Sequence, residues 1–251
     1  MTGDQSSRDS LMEATRSRAR FSEHGGKGAS GFISPYDENQ DASFLSKPGE
    51  TAIVNPPMGG LRDFEIGVAW DVRQIQTQKQ GLLGKLLNKT KTVTRQQNVD
   101  LDLGCFYELE NGERGVVQAF GENFGAYDKP PYIFLSGDER TGEAEGEDEK
   151  ITINGGHWKD IKRVLIYLYI YEGADDFEEV NEQIQVRVPG EKPMVVSLHA
   201  HRDEMDLCAV AGLENIRGGI RMTTYLEYFP GHESMDRAFG FGLQWEEGAK
   251  R

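Results

Sequence analysis

An acidic segment with several glycines offers the clearest chemistry in this chain of 251 residues. It runs from Gly137 to Lys150 and reads GDERTGEAEGEDEK. Its glycines let the backbone turn tightly, so that several carboxylates can point toward one place. Such carboxylates repel one another unless a cation lies between them, and Ca²⁺ accepts about six to eight oxygen ligands with tolerant geometry. Because the segment has no histidine, no cysteine and no EF-hand spacing, two interpretations stay open, a calcium-binding loop and a solvated, metal-free acidic loop.

Three aspartates outside this segment could add rigid ligands. Asp71 directly follows an apolar strand pattern that ends at Trp70, while Asp100 and Asp102 share the polar face of another predicted strand. Side chains two residues apart on a strand project to the same side. If these strand ends lie near the acidic segment, we expect the aspartates to join the same site. The alternative is that Asp100 and Asp102 bind backbone amides or arginines at an open sheet face.

The elements that must position these residues are predicted to be strands. Apolar and polar residues alternate over Leu61 to Val72 and over Val99 to Leu109. Ile161 to Tyr171 is apolar on both faces in its second half, as in a central buried strand. Many short strands separated by turns predict an all-β protein, an antiparallel β-sandwich. The shorter predicted strands are Val116 to Phe120, Tyr132 to Leu135, Ile184 to Val188, Met194 to Leu198, Cys208 to Leu213 and Ile220 to Phe229.

Two segments depart from this pattern. Residues 1–60 are rich in Ser, Gly, Asp and Gln, which predicts a largely disordered N-terminal tail before a sandwich domain at 61–247, although Thr51 to Val54 could dock as an edge strand. Lys79 to Lys91 reads KQGLLGKLLNKTK, a basic amphipathic insertion. It could contact a membrane surface or a partner, or its leucines could cover one end of the sandwich.

Charge and motifs exclude several functions. Acidic residues outnumber basic ones by 42 to 28, giving a net charge of −14, which disfavours nucleic acid as a partner. The two cysteines, Cys105 and Cys208, do not form a disulfide framework, so we expect a cytoplasmic protein. No P-loop, GxSxG or HExxH motif is present, and the pair His199 and His201 lacks an evident third metal ligand. We therefore predict no enzymatic activity.

Several blocks of the chain resemble the TerD-like family of tellurium-resistance and stress-response proteins, and within it the TerA branch. The matching blocks are GVAWD (67–71), VDLDLGCFYEL (99–109), PPYIFLSGD (130–138), the acidic segment with its flanks (136–155), VLIYLYIYEG (164–173) and GHESMDRAFGFGLQW (231–245). The resemblance implies a β-sandwich that binds Ca²⁺ through the acidic loop and neighbouring strand aspartates. The implied metal ligands are Asp71, Asp100, Asp102, Asp138, Glu143, Glu145, Asp148 and Glu149.

The acidic segment departs from the family pattern, which resembles GDNxTGxGDGDDE. Glu139 replaces an amide, Ala144 replaces a glycine, and Glu145 and Glu147 replace aspartates. A longer carboxylate arm and a lost glycine could weaken or remove one of two possible ions.

The resemblance also implies a role within a multi-protein tellurium-resistance system that includes a membrane component. We expect a calcium-binding sensor or scaffold whose partners are other proteins of that system, with a peripheral contact at the inner face of the membrane through Lys79 to Lys91 as a further option. The alternatives are a metal-free acidic interaction domain and a metal-dependent hydrolase, which would need an open coordination position.

Overall fold

The structure is a computed structural model that describes residues 33, 41–70, 73–79, 91–97, 99–136, 149–175, 177, 180, 182–198 and 205–245, with backbone alone for 73–79 and 91–97. Strands make up most of this part of the chain. They are β1 (Ser43–Phe44), β2 (Thr51–Val54), β3 (Phe64–Trp70), β4 (Arg73–Lys79), β5 (Lys91–Gln97), β6 (Asp100–Leu109), β7 (Arg114–Val117), β8 (Gly125–Ala126), β9 (Ile133–Leu135), β10 (Glu149–Ile153), β11 (Ile161–Glu172), β12 (Glu182–Arg187), β13 (Met194–Ser197), β14 (Leu207–Ile216) and β15 (Gly219–Phe229). The helices are α1 (His232–Phe239) and two 3-10 helices, Phe120–Glu122 and Gly155–Asp160.

Within the described residues, two large sheets form the sandwich. The seven-stranded sheet has the order β1-β13-β12-β3-β10-β9-β8, and the six-stranded sheet has the order β2-β15-β14-β11-β6-β7. The pairings in both sheets are antiparallel, except that β1 runs parallel to β13. The predicted all-β sandwich is therefore confirmed.

Alternation in the sequence explains the core between the sheets. Phe64, Ile66, Val68 and Trp70 of β3 are all buried, as the period of two predicts. Strand β11 lies between β14 and β6, as predicted for a central strand, and is buried on both faces from Val164 to Leu168, whereas Tyr171 and Glu172 at its end are exposed. Its two faces therefore belong to two separate apolar clusters.

The outer face of the six-stranded sheet has its own cover. Phe106 and Tyr167 on this face pack with Met235 of α1 and with Phe241, which follows the helix. Gly104 of β6 lies directly beneath the ring of Tyr167, where a Cβ atom would collide with it. The helix was not predicted from the sequence, and it seals a surface that would otherwise expose aromatic rings to water.

Part of the range 1–60, predicted as a tail, belongs to the sandwich. Strand β2 pairs with β15 at the edge of the six-stranded sheet, which confirms the edge strand suggested for Thr51 to Val54. Strand β1 pairs with β13 at the edge of the other sheet. Residues 43–54 are ordered because backbone hydrogen bonds to existing sheet edges compensate for their low hydrophobicity. Of residues 1–40, the structure describes Ile33 alone. The division of the chain into a tail and a domain stays a prediction.

The basic insertion Lys79 to Lys91 begins and ends in a separate two-stranded hairpin. Lys79 of β4 and Lys91 of β5 lie opposite each other in an antiparallel pair. Residues 80–90 and the pair His199 and His201 lie outside the described residues. In the part of the chain that the structure describes, no helix combines the length and apolar character needed to cross a bilayer.

Candidate functional site

Carboxylates from both sheets gather at one end of the sandwich, which we call the loop end. Strand β6 begins there with Asp100, β10 begins there with Glu149, and β12 begins there with Glu182. The sheet register brings the last two strand starts together, because both strands flank β3, with Glu149 opposite Val68 and Glu182 opposite Trp70. The loop end therefore collects buried acids from strands that are far apart in sequence.

Glu149 joins the two sheets at this end. Its side chain is buried, and Oε2 accepts a hydrogen bond of 2.7 Å from the backbone N–H of Leu103. Leu103 follows Asp102 directly in β6, so the last acidic residue of the loop is fixed beside one of the predicted strand ligands. The C-terminal end of the acidic segment therefore lies at the N-terminal part of β6, while its role as a ligand set stays a prediction.

Asp100 and Asp102 are also buried, with exposed fractions of 7 % and 1 %. Burial raises the pKa of the Tyr167 phenol well above its usual value, and the nearby carboxyl groups of Asp102 and Glu149 raise it further. A carboxylate is expensive to bury without compensation, so the buried acids at this end require hydrogen bonds or a cation as partners.

The other predicted ligands are Asp71, Asp138, Glu143, Glu145 and Asp148, and they lie outside the described residues. Their flanks are nevertheless fixed, since Trp70 precedes Asp71 and Glu149 follows Asp148. A hydrogen bond of 2.8 Å from the N–H of Ser136 to the carbonyl of Lys150 holds together the two ends of the segment 137–149. Both entry points to the acidic segment therefore lie at the loop end.

Glu182 is a buried acid at this end that sequence reasoning missed. Its Oε1 accepts a hydrogen bond of 3.0 Å from the N–H of Leu198, while Oε2 has no hydrogen-bond partner among the described residues. Burial raises the pKa of Glu182 well above its usual value. The signal was available in EQIQVRV, because Glu182 occupies the same face as Ile184 and Val186, which point into the core.

The donors at the loop end suit a hard cation. The buried acids Asp100, Asp102, Glu149 and Glu182 carry carboxyl oxygens, which Ca²⁺ prefers and which zinc sites usually combine with His or Cys. In the described part of the chain, no three or more His, Cys, Asp or Glu side chains form a group that could hold a metal ion. A calcium ion at this end would therefore need Asp102 and Glu149 together with ligands from segment 137–148.

The opposite end of β6 carries a buried acid of a different kind. Burial alone would raise the pKa of Glu108, but hydrogen bonds from Lys162, Arg163 and Arg114 outweigh it and lower the pKa to about 2. The three bonds measure 2.8, 2.7 and 3.2 Å. Glu108 is thus a structural ion-pair centre.

The thiols of Cys105 and Cys208 are unreactive because they are buried. Both cysteines are buried and free, and burial raises the pKa of Cys105 to about 12 and that of Cys208 still further. Thiols that stay protonated are poor nucleophiles and poor ligands.

Comparison with known proteins gave two curated relatives, and no family model matches the chain. Tellurium resistance protein TerA from Alcaligenes sp is 42 % identical over 170 residues, covering 68 % of this chain and 48 % of that protein. Tellurium resistance protein TerX from Serratia marcescens is 27 % identical over 126 residues, covering 45 % of this chain and 55 % of that protein. The chain therefore spans about half the length of the curated relatives it matches.

One solved structure is also similar, that of SAV2460, a protein of unknown function. The TM-score is 0.46 at 18 % identity, covering 74 % of this chain and 99 % of that one. With its carboxylate-rich loop end and its sequence similarity to both curated relatives, the chain belongs to the tellurium-resistance protein family and is TerA-like.

Proposed function

We propose that this protein is a calcium-binding, non-enzymatic component of a tellurium-resistance system, in which it acts as a sensor or scaffold. The names of its two relatives support the resistance role. The observation that carries calcium binding is the position of Glu149, buried against the backbone of Leu103 beside Asp102 at the root of the acidic segment.

Calcium would act here as a bridge between the sheets. Asp102 comes from the six-stranded sheet and Glu149 from the seven-stranded sheet. An ion held by both, and by Asp71, Asp100, Asp138, Glu143, Glu145 or Asp148, would link the acidic segment to the rigid sandwich. Because binding to the native state alone stabilises that state, the ion would couple calcium concentration to the conformation of the segment. That coupling is what a sensor requires.

The partners in this proposal are other proteins of the same system, met in the cytoplasm. The insertion Lys79 to Lys91 would supply a peripheral contact with a membrane or a membrane protein, since it is basic in a chain of net charge −14. A metal-free interaction domain is the competing function. In that case the acidic segment would bind basic partners, with an affinity that falls as salt rises and ignores chelator.

Thermal unfolding of chelator-treated protein, titrated separately with Ca²⁺ and Mg²⁺, tests the proposal. We expect the melting temperature to rise with micromolar Ca²⁺ and to change little with Mg²⁺ at the same concentration. A flat response to Ca²⁺ would favour the metal-free interaction domain.

Two variants test the ligand assignment by calorimetry. Asp102→Asn and Asp148→Asn should each weaken calcium binding. Asp63→Asn is the matched control, because Asp63 accepts a hydrogen bond of 3.1 Å from the N–H of Gly155 at the end remote from the acidic segment. If Asp102→Asn and Asp148→Asn both bind Ca²⁺ like the wild type, the assignment is wrong.

A further inference from the structure

A groove of about 610 Å³ crosses the outer face of the six-stranded sheet. It lies between the segment that follows α1 and the 3-10 helix Phe120–Glu122. Tyr169 in its lining pairs with Asp102 on the neighbouring strand, so the groove borders the loop end. Small-molecule sites in proteins commonly have volumes of about 300–1,000 Å³. The groove therefore has the size of a site for one small ligand.

Aromatic rings form much of its lining. Phe120, Tyr169 and Trp245 surround the imidazole of His232, with ring centroids 6.0, 5.2 and 5.5 Å from it. Flat rings in edge-to-face and tilted arrangements provide stacking surfaces for another planar ring. An aliphatic ligand of the same volume would gain burial but not this stacking.

His232 adds a hydrogen-bonding group to a lining that is already mixed, since Gln118, Asn123 and Gln244 also contribute to it. Its Nε2 is buried and has no hydrogen-bond partner among the described residues. Burial lowers the pKa of His232 to about 4, so the imidazole is neutral at pH 7. Polar atoms in this situation usually have a partner. The imidazole itself lines the groove, so its neutral ring extends the aromatic part of the lining.

Arg114 gives one wall of the groove a positive charge. Its guanidinium is held by Glu108 and by the carbonyl of Phe241, at 3.2 and 3.0 Å, and its side chain remains 41 % exposed. Glu108 also pairs with Lys162 and Arg163. One carboxylate thus balances three cations, and the group of four side chains keeps a net positive charge. A fixed guanidinium favours a carboxylate, which it can bind through two parallel hydrogen bonds.

The opposite wall is already organised for binding. The buried carboxylate of Asp236 accepts hydrogen bonds from the N–H groups of Gly242 and Leu243, at 2.7 and 2.8 Å. It also accepts one of 3.1 Å from the indole N–H of Trp245. This arrangement fixes the indole before any ligand arrives, which reduces the entropy lost on binding.

From these features we infer that the groove binds a free small molecule made of a planar aromatic ring that carries a carboxylate. The ring would lie among Phe120, Tyr169 and Trp245, and the carboxylate would reach Arg114. The site rests on Tyr169 and on residues of 114–123 and 231–245, none of which is a proposed calcium ligand.

The test uses the indole N–H signals of the full chain in ¹H–¹⁵N NMR spectra. The chain has three tryptophans, and those of Trp70 and Trp158 are buried in the core between the sheets. Trp245→Phe identifies the signal of the third. We expect benzoate to shift the Trp245 signal in a saturable way at about millimolar concentrations or below. Benzamide, which lacks the charge, and cyclohexanecarboxylate, which lacks the aromatic ring, should each bind about tenfold more weakly.

A charge-removing variant and its matched control complete the design. Arg114→Gln should weaken benzoate binding about tenfold and abolish the preference for benzoate over benzamide. Arg221→Gln is the control, since Arg221 is similarly exposed and paired with Glu214 but does not line the groove. An unmoved Trp245 signal, equal affinity for benzoate and cyclohexanecarboxylate, or wild-type affinity in Arg114→Gln would each overturn the inference.

Discussion

The two ends of strand β6 bury carboxylates in opposite ways. At one end, Glu108 is surrounded by Arg114, Lys162 and Arg163, which hold its pKa at about 2. At the other end, Asp100 and Asp102 are buried near Glu149, another acid. One strand thus carries an acid paired with three cations at its C-terminal end and two buried aspartates beside another acid at its N-terminal end.

The difference separates a structural role from a binding role. A buried charge must be balanced, and at Glu108 the chain itself supplies the balancing cations. At the loop end, in our proposal, a calcium ion from solution supplies part of that balance. The first arrangement is permanent, whereas the second depends on ion concentration, and only the second could report a change in the cell.

The largest expected effect is on calcium affinity. Glu149→Gln should weaken Ca²⁺ binding about 100-fold, because it removes charge from a buried ligand at the root of the acidic segment. Glu108→Gln, the matched buried glutamate on the same sandwich, should leave calcium affinity unchanged. Calorimetry measures the calcium affinity of both variants. Equal affinities would mean that the two ends of β6 do not differ in calcium binding.

Glu108→Gln should instead lower the free energy of unfolding at pH 7, by about 2 kcal/mol. The folded pKa of Glu108, about 2, lies below its usual value of 4.5, so its stabilising contribution is present above pH 4.5 and is lost as pH falls toward 2. Denaturant unfolding of wild type and variant at several pH values measures this. If the difference in unfolding free energy between wild type and Glu108→Gln stays constant from pH 7 to pH 2, the ion pairs of Glu108 do not stabilise the fold.

Glu182→Gln should raise the free energy of unfolding at pH 7, whereas Glu108→Gln should lower it. The folded pKa of Glu182 is raised, so its contribution to stability is complete below the unfolded pKa and is lost as pH rises through the folded pKa. Glutamine does not titrate, and we expect the variant to be more stable than wild type at pH 7 in the presence of chelator, by less than the loss at Glu108. Melting temperatures between pH 5 and pH 9 test this; parallel curves would mean that Glu182 does not titrate in this range.

Lys162→Gln should have the smallest effect, below about 1 kcal/mol in the free energy of unfolding. The lysine side chain is 54 % exposed, so water and salt screen its bond to Glu108. Arg163→Gln should cost more, because Arg163 also binds the carbonyls of Phe239 and Gly240 at the end of α1. If the two variants lose equal stability, the cations around Glu108 act through charge alone.

The sequence predicted the strands well where alternation was strong. Phe64–Trp70, Asp100–Leu109 and Ile161–Glu172 follow from their apolar periods, because a half-buried or central strand must place apolar side chains on its covered faces. Helix α1 escaped prediction because it is eight residues long and buries only Met235 and Asp236, so its stability comes from packing and from Arg163 rather than from its own pattern.

The site was predicted only in part for a similar reason. The acidic segment and the pair Asp100 and Asp102 stand out in sequence, since their chemistry is local. The convergence of Glu149 with Asp102, and the presence of Glu182 at the same end, depend on strand order across the two sheets. That order is set by contacts between residues far apart in the chain, which local periodicity does not encode.

The two short strands near the N-terminus have a practical consequence. Strand β1 covers one edge of the seven-stranded sheet, and β2 covers one edge of the six-stranded sheet. An uncovered edge presents free N–H and C=O groups that can template pairing with another molecule. A chain shortened to the predicted domain start at residue 61 would expose β13 and β15 together, so residues 43–54 protect the folded protein against aggregation.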